Sequence, residues 1–521
     1  MAGRTEMPPL AGVVQRRLSA LHDPFALYAA LGVKPDTGLF EAMNGPTLLM
    51  HRAAVRAECR GEEVILHALS TNGESLLAAL RTALAEYAAP GERNGLQLRF
   101  PVNGSVDSEQ RLMAPSPLHA IRALLRSAGR DSDEPFADAA FGIVAFDYAA
   151  AREELPEYAE DPIGFPDYLF WIPETLLLFE PGGPPRILCA AFRDDDPAQA
   201  ARNHHDAVQR LERLVQACAQ VADHAVFEPD PPLEPAREPP EFEVDLDDEA
   251  YRAVVARLKE EIAAGEVYQI VPSRTFRASC PDALAAYAAL RRIEPNSYRF
   301  LVQGEDFTLF GASPETSVRV FRDGGWSSVE VRPIAGTRPR GATTDEDDRL
   351  EGELRLDGKE LAEHMMLVDL ARNDVARISI PGTRRVAKLM TVERYARVMH
   401  LVSSVTGRLA IGFDAVDALS ACLNVGTLTG APKIRAMELL REVERTRRGH
   451  YGGAVGWING DGMMDMAVVI RSAFVRDGMA YVRAGAGVVH DSDPQGEADE
   501  TRRKASALLS VLANVAAGGG R

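Results

Sequence analysis

Apolar and polar positions alternate most regularly in the second half of the chain. Tyr251, Val254, Val255, Leu258 and Ile262 recur at helical spacing, and Gly265 is placed to end that helix. A strand is expected over 267–276. Four more follow at 297–302, 308–312, 317–321 and 328–331, the last two joined by the hairpin signal Arg322-Asp323-Gly324-Gly325. Strands over 454–458, 466–475 and 480–483 are linked through Asn459-Gly460-Asp461-Gly462 and Asp477-Gly478. Glycine turns this short join antiparallel neighbours, because parallel strands need long crossovers. Helices are expected over 358–374, 415–423, 433–443 and 494–516, the last with Ser492 and Gln495 as a capping box. In the 358–374 helix, Leu361, Met365 and Val368 form the stripe expected to face a core. The first half is less regular. It predicts strands at 48–50, 64–66, 141–148 and 167–179, and helices at 117–127 and 199–217. The whole reads as α+β with large antiparallel sheets, and no dinucleotide or phosphate-loop motif opposes that.

Composition adds one boundary. The stretch 227–245 is rich in proline and acid and lacks periodicity, so it reads as a linker between an N-terminal region, 1–226, and a C-terminal region, 246–516. The 521 residues carry a net charge of −18, which disfavours nucleic acid or an anionic membrane as partner. Five scattered cysteines with no C-x-x-C spacing read as reduced thiols. The chain start has no signal-peptide core, and the apolar run 168–179 is too short to span a bilayer, so a cytoplasmic location is expected.

Two carboxylate pairs carry the first chemical signal. Glu360, Glu363 and His364 stand at i, i+3 and i+4 and are expected on one helix face, and Glu497 and Glu500 stand at i, i+3. Taken alone, either pair reads as a solvated face. Together, four carboxylates from two distant helices make a hard oxygen site suited to Mg²⁺ with a substrate anion as a further ligand. Glycine-rich and polar stretches follow around them: Phe310-Gly311-Ala312-Ser313-Pro314-Glu315, Pro333-Ile334-Ala335-Gly336-Thr337, Val398-Met399-His400-Leu401, Gly426-Thr427-Leu428-Thr429-Gly430, Tyr451-Gly452-Gly453-Ala454, Ile470-Arg471-Ser472 and Ala484-Gly485-Ala486-Gly487. Glycine at a strand end lets backbone N–H groups come close to a carboxylate.

In this order the motifs resemble the chorismate-utilising enzymes, and among them the large subunit of anthranilate synthase. The resemblance covers the C-terminal half, 247–512, and extends more weakly before it. It implies two large packed antiparallel sheets flanked by helices, with a chorismate-binding catalytic region and an N-terminal region bearing a tryptophan-type regulatory pocket. It implies Mg²⁺ held by Glu363 and Glu500, with Glu360 and Glu497 beside them, gripping the ring carboxylate of chorismate. Glu315 matches the acid that protonates the departing C4 hydroxyl, and His400 the histidine that assists pyruvate loss and aromatisation. Tyr451 and Arg471 match residues that hold the pyruvyl carboxylate. Gly336, Thr337, Thr427, Gly485, Ala486, Gly487 and Lys504 complete the implied substrate contacts.

Two positions select among relatives. Hydrolytic members carry a water-activating lysine where this chain has Gln269, and C4-aminating members carry a lysine where it has Ala335. Both residues point to amination at C2 followed by elimination, giving anthranilate and pyruvate. A 2-amino-2-deoxyisochorismate synthase that stops before pyruvate loss is the alternative. None of the five cysteines lies in a Gly-x-Cys-x-Gly turn, so ammonia is expected from a separate glutamine amidotransferase subunit in a hetero-oligomer. Of the family's tryptophan-site stretches, Glu41, Pro295 and Tyr298 persist, while Ala42 and Arg299 depart. Weak feedback by tryptophan, and with it a role in a secondary pathway, is expected from those departures.

Overall fold

The computed structural model describes residues 12–19, 23–43, 45–90, 95–101, 108–128, 133–222, 241–395 and 398–518. Every pairing between its named strands is antiparallel. Thr47–Arg60 and Tyr168–Phe179 are long enough to serve two sheets. Their register slips between Met50 and Val55, and the pair bends there. On one side of the bend the sheet continues through Thr37–Ala42, Tyr298–Gln303, Thr308–Ser313, Ser472–Arg476, Met479–Gly485 and Ser273–Ser279. On the other it continues through Ala140–Val144, Ala454–Ile458, Met464–Val468, Thr316–Asp323, Trp326–Val331 and Val398–Arg408.

The expected α+β fold of two packed antiparallel sheets is therefore present. Phe40, Phe300 and Leu309 from the first sheet meet Ile143, Val455 and Trp457 from the second in one buried layer. The outer face of the first sheet lies under Pro24–Leu31, Pro197–Ala222, Ala283–Ile293 and Pro494–Gly518. The outer face of the second lies under Thr71–Ala83, Leu118–Ser127, Gly358–Ala376 and Ala415–Cys422. Burial of both strand faces explains the near-continuous apolar run in Tyr168–Phe179.

Several boundaries differ from the sequence reading. The strand expected over 267–276 is two, Gln269–Ile270 and Ser273–Ser279, because Pro272 cannot donate to a ladder. The strand expected over 466–475 is broken at Arg471, which has φ +51°. The 141–148 strand ends at Val144 and turns into a 3₁₀ segment, Phe146–Ala151. Thr344–Leu356 is a helix whose apolar side is only Leu350 and Leu354, capped by Thr343. The C-terminal helix is capped by Asp493, whose Oδ2 accepts from Gly496 N at 2.8 Å, while Ser492 Oγ turns back to accept from Val489 N at 3.0 Å. Most of the 227–245 linker lies outside the described residues. Its end forms Glu243–Val244, which pairs with Phe276–Arg277. The stretches before and after it do not form separate sheets: Thr37–Ala42 lies beside Tyr298–Gln303, and Ala140–Val144 beside Ala454–Ile458. Among the described residues, no helix is long and apolar enough to cross a membrane.

Candidate active site

The Gly358–Ala376 helix starts at Asp357, whose Oδ1 caps Lys359 N and Glu360 N. Its buried stripe is His364, Leu367, Val368, Ala371 and Val375. Met365, expected in the core, is 44% exposed. His364 takes the buried place and bonds Ser403 Oγ through Nε2 at 2.6 Å, so it turns away from the two glutamates rather than joining them. That rotation leaves Glu360 and Glu363 half-buried; Glu363 feels the charges of Glu497 and Glu500 on the C-terminal helix, and Glu360 Oε1 lies 3.4 Å from Arg338 Nη1.

The four carboxylates converge. Burial pushes the Glu363 carboxyl up, and the charges of Glu360, Glu497 and Glu500 push it further. Glu497 is raised by burial and by Glu500, against a hydrogen bond from Ser492. Glu500 alone is lowered: Lys504 Nζ lies 2.8 Å from its Oε1 and outweighs its desolvation. Lys359 Nζ stands 3.8 Å from Glu363. Among the described residues no three acid, histidine or cysteine side chains close on one point as a formed ion site would. The donor set still fits a hard divalent cation. It is all oxygen and it sits on two helices, and Glu363 feels the like charges of Glu360, Glu497 and Glu500 in addition to its burial.

The remaining groups are tied to these acids by a chain of contacts. Lys504 Nζ also donates to Gly485 O at 2.9 Å, and Lys504 O accepts from Arg471 Nη1 at 3.0 Å. The left-handed backbone at Arg471 interrupts the strand and gives this residue its place. Burial lowers its pKa, with Glu294, Tyr451 and Glu500 acting against that. Tyr451 is buried, and its hydroxyl lies 3.2 Å from where a Cβ on Gly485 would stand. On Gly487 a Cβ would meet Gln269 Nε2 at 2.8 Å, so glycine keeps that approach open. Gln269 Oε1 is buried without a partner. Ala486 N is engaged with Pro272 O at 3.2 Å.

On the opposite wall, Gly336 has φ +72°, and a Cβ there would stand 3.2 Å from Glu360 Oε2. His400 Nδ1 lies 3.1 Å from both Gly336 O and Thr337 Oγ1. A carbonyl only accepts, so Nδ1 carries the proton and Nε2 is left as a free base. Burial lowers the His400 pKa, and Arg471 lowers it further. Glu315 is buried, and burial pushes its carboxyl up to about 7 despite a 2.8 Å hydrogen bond from Thr427 Oγ1. Such a carboxyl holds a proton near neutrality and is suited to general acid work.

A fully buried hub lies behind this wall, and the sequence reading missed it. Arg448 donates to Glu444, to Leu428 O at 2.6 Å and to Val271 O at 2.7 Å. Glu444 also accepts from Ser273 N at 2.7 Å and Arg483 Nη2 at 2.9 Å. These contacts fix the segments that carry Thr427, Gln269, Tyr451 and Gly485. The i, i+4 spacing of Glu444 and Arg448 was readable, but Arg483 was not.

The three residues expected around a regulatory pocket do not meet. Glu41 and Arg299 face each other across paired strands, with Arg299 Nε 3.4 Å from Glu41 Oε2. Arg291 donates to the same carboxylate at 2.7 Å, and Tyr287 Oη at 2.8 Å. Tyr298 lies on the other face, bonded to Asp465 at 2.8 Å, and Pro295 lies in the turn before its strand.

Glu363 and Glu500 on two helices, a buried carboxyl raised to about 7 and the buried Arg471 thus lie along one chain of contacts. The chain belongs to the family of chorismate binding enzymes, whose profile matches residues 84–510. It is 43% identical over 518 residues to anthranilate synthase component 1 of Vibrio cholerae, covering 96% of each protein. It is 46% identical over 469 residues to the pyocyanine-specific anthranilate synthase component 1 of Pseudomonas aeruginosa, covering 88% of this chain and 86% of that one. The crystal structure of anthranilate synthase component I from Streptococcus pneumoniae aligns with a TM-score of 0.69 at 28% identity, over 95% of this chain and 99% of that one.

Proposed function

We propose that this chorismate-utilising chain is the large subunit of an anthranilate synthase, converting chorismate and ammonia to anthranilate, pyruvate and water. The observation that carries this reading is the approach of the Glu363 and Glu500 helices, with Arg471 and the buried, raised Glu315 carboxyl tied to them. Arg471 and Tyr451 would hold the pyruvyl carboxylate. Glu315 would give its proton to the departing C4 hydroxyl as ammonia bonds to C2. Nε2 of His400 would then take the C2 proton as the ring's C3–O bond to the pyruvyl group breaks and the ring becomes aromatic, and would return that proton to the departing enolpyruvate to give pyruvate. Glu360, Glu363, Glu497 and Glu500 would hold Mg²⁺, which when bound draws charge onto the ring carboxylate. Gln269 cannot activate water as a lysine would, which favours ammonia as nucleophile. A separate glutaminase subunit would supply that ammonia. Five free, buried cysteines fit a reducing cytoplasm. The test is the purified chain with chorismate, Mg²⁺ and excess ammonium near neutral pH, read by anthranilate fluorescence and pyruvate release. An aminated, non-aromatic product without pyruvate would instead support the synthase that stops halfway, and no turnover would remove the assignment.

A second reading concerns regulation. Arg291, Arg299 and Tyr287 already satisfy Glu41, so no free carboxylate remains there for an amino-acid ammonium group. This favours weak tryptophan feedback and a role in a secondary pathway. Tryptophan is expected to leave the rate nearly unchanged at concentrations that saturate a feedback-sensitive relative. Arg299→Met is expected to lower its inhibition constant about tenfold or more, since one charge-assisted contact is removed. Tight inhibition of the unaltered chain would exclude this reading.

A further inference from the structure

A cavity of about 580 Å³ opens beside the bend in the shared strand pair, and it has no lining residue in common with the carboxylate cleft or the Glu41 cluster. Its size is within the usual range for small-molecule sites. Lys34, His51, Arg52, Arg210 and Arg213 line it, and Asp36 is the only acid among the described lining residues. Asp36 is taken, accepting from Trp171 Nε1 at 2.7 Å and Arg56 Nη1 at 3.2 Å. Arg52 is paired with Glu174, a carboxylate that also accepts from Ser70 Oγ at 2.8 Å. Lys34, Arg210 and Arg213 make no ion pair among the described residues. Arg210 donates from Nη2 to Ala190 O at 2.9 Å, and its buried Nε has no hydrogen-bond partner.

Three uncompensated cations in one cavity are unusual in a chain of net charge −18. The positive field is felt inside the site. The His51 pKa falls to about 4, through burial first and then through Lys34 and Arg52. His51 and Arg52 sit where the strand register slips, an irregularity that re-aims side chains. Leu31, Leu69 and Leu214 supply an apolar floor.

We propose that this cavity is a second ligand site, for a small organic anion with a compact apolar body. Arg210, Arg213 and Lys34 hold the anionic group, and the body rests on the three leucines. Benzoate, which has both parts, and inorganic phosphate, which has only the charge, are the probes, titrated by calorimetry into the full chain. Saturable binding of either probe is expected, weakened about tenfold or more by Lys34→Ala with Arg213→Ala, two exposed positions, and unchanged by Arg471→Ala in the catalytic cleft. In the same titration, the ring resonances of His51 shift. No saturation with either probe, or saturation that the double variant leaves unaltered, overturns the proposal.

Discussion

A carboxyl surrounded by apolar atoms keeps its proton because the charged form is poorly solvated there, and Glu315 is such a group. Two consequences follow at the level of this residue. As an acid it works only while protonated, so kcat/KM for the ammonia reaction is expected to fall as pH rises through about 7. Glu315→Gln is expected to lose about 10²–10⁴-fold in kcat and that titration with it, while KM for chorismate changes little. Stability follows the same pH direction. A carboxyl raised from 4.5 to about 7 contributes stability that is fully present below pH 4.5 and is lost as pH rises through 7. Glu315→Gln removes that loss, so at pH 8 the variant should be more stable by roughly 3 kcal/mol. Near pH 4 the two should match. Thermal unfolding at both values checks the sign.

At the level of elements, two helices carry four mutually repelling acids. Neither helix explains them alone, since each pair would be unremarkable on a solvated face. Packed together, Glu363 is raised by burial first; Lys359 opposes the rise, the other three carboxylates add to it, and Lys504 pairs with Glu500. A divalent cation that binds here stabilises the folded state by mass action, by about 2.7 kcal/mol at a hundredfold excess over its Kd. Mg²⁺ is therefore expected to raise the melting temperature by several degrees, and chelator to reverse the rise. Glu363→Gln with Glu500→Gln should gain nothing from Mg²⁺. An undiminished gain in that variant would place the ion elsewhere.

Across the whole molecule, the two halves of the chain share both sheets. Thr37–Ala42 buries Phe40 beside Phe300, and Ala140–Val144 buries Ile143 beside Val455. Neither half can close its own layer, because each would expose a sheet edge and one face of the inter-sheet core. Fragments 1–222 and 241–521 are therefore expected to be insoluble when expressed separately and to form one soluble complex when co-expressed. Gel filtration of the co-expressed pair checks this, and a soluble, folded 241–521 fragment on its own would contradict it. The Glu41 cluster depends on the same sharing, since its carboxylate comes from one half and both arginines from the other.

Local signals in the sequence determined the elements and the chemical inventory. Period-2 and period-3.6 patterns, glycine turns and antiparallel connections depend on neighbours a few residues apart, so the strands, most helices and the α+β class were legible. So were the acids, His400, Arg471 and the glycine-rich strand ends, each carried by a short motif. The tertiary structure alone decided what depends on contacts between distant segments. It set the rotation of the Gly358–Ala376 helix, where His364 rather than Met365 is buried because Ser403 accepts or donates to its ring. It broke the strand at Arg471, joined Arg483 to Glu444, and sent Tyr298 to the face opposite Glu41. Periodicity reports that a face is apolar, whereas which surface that face meets, and what field its charges then feel, is fixed only when the sheets close.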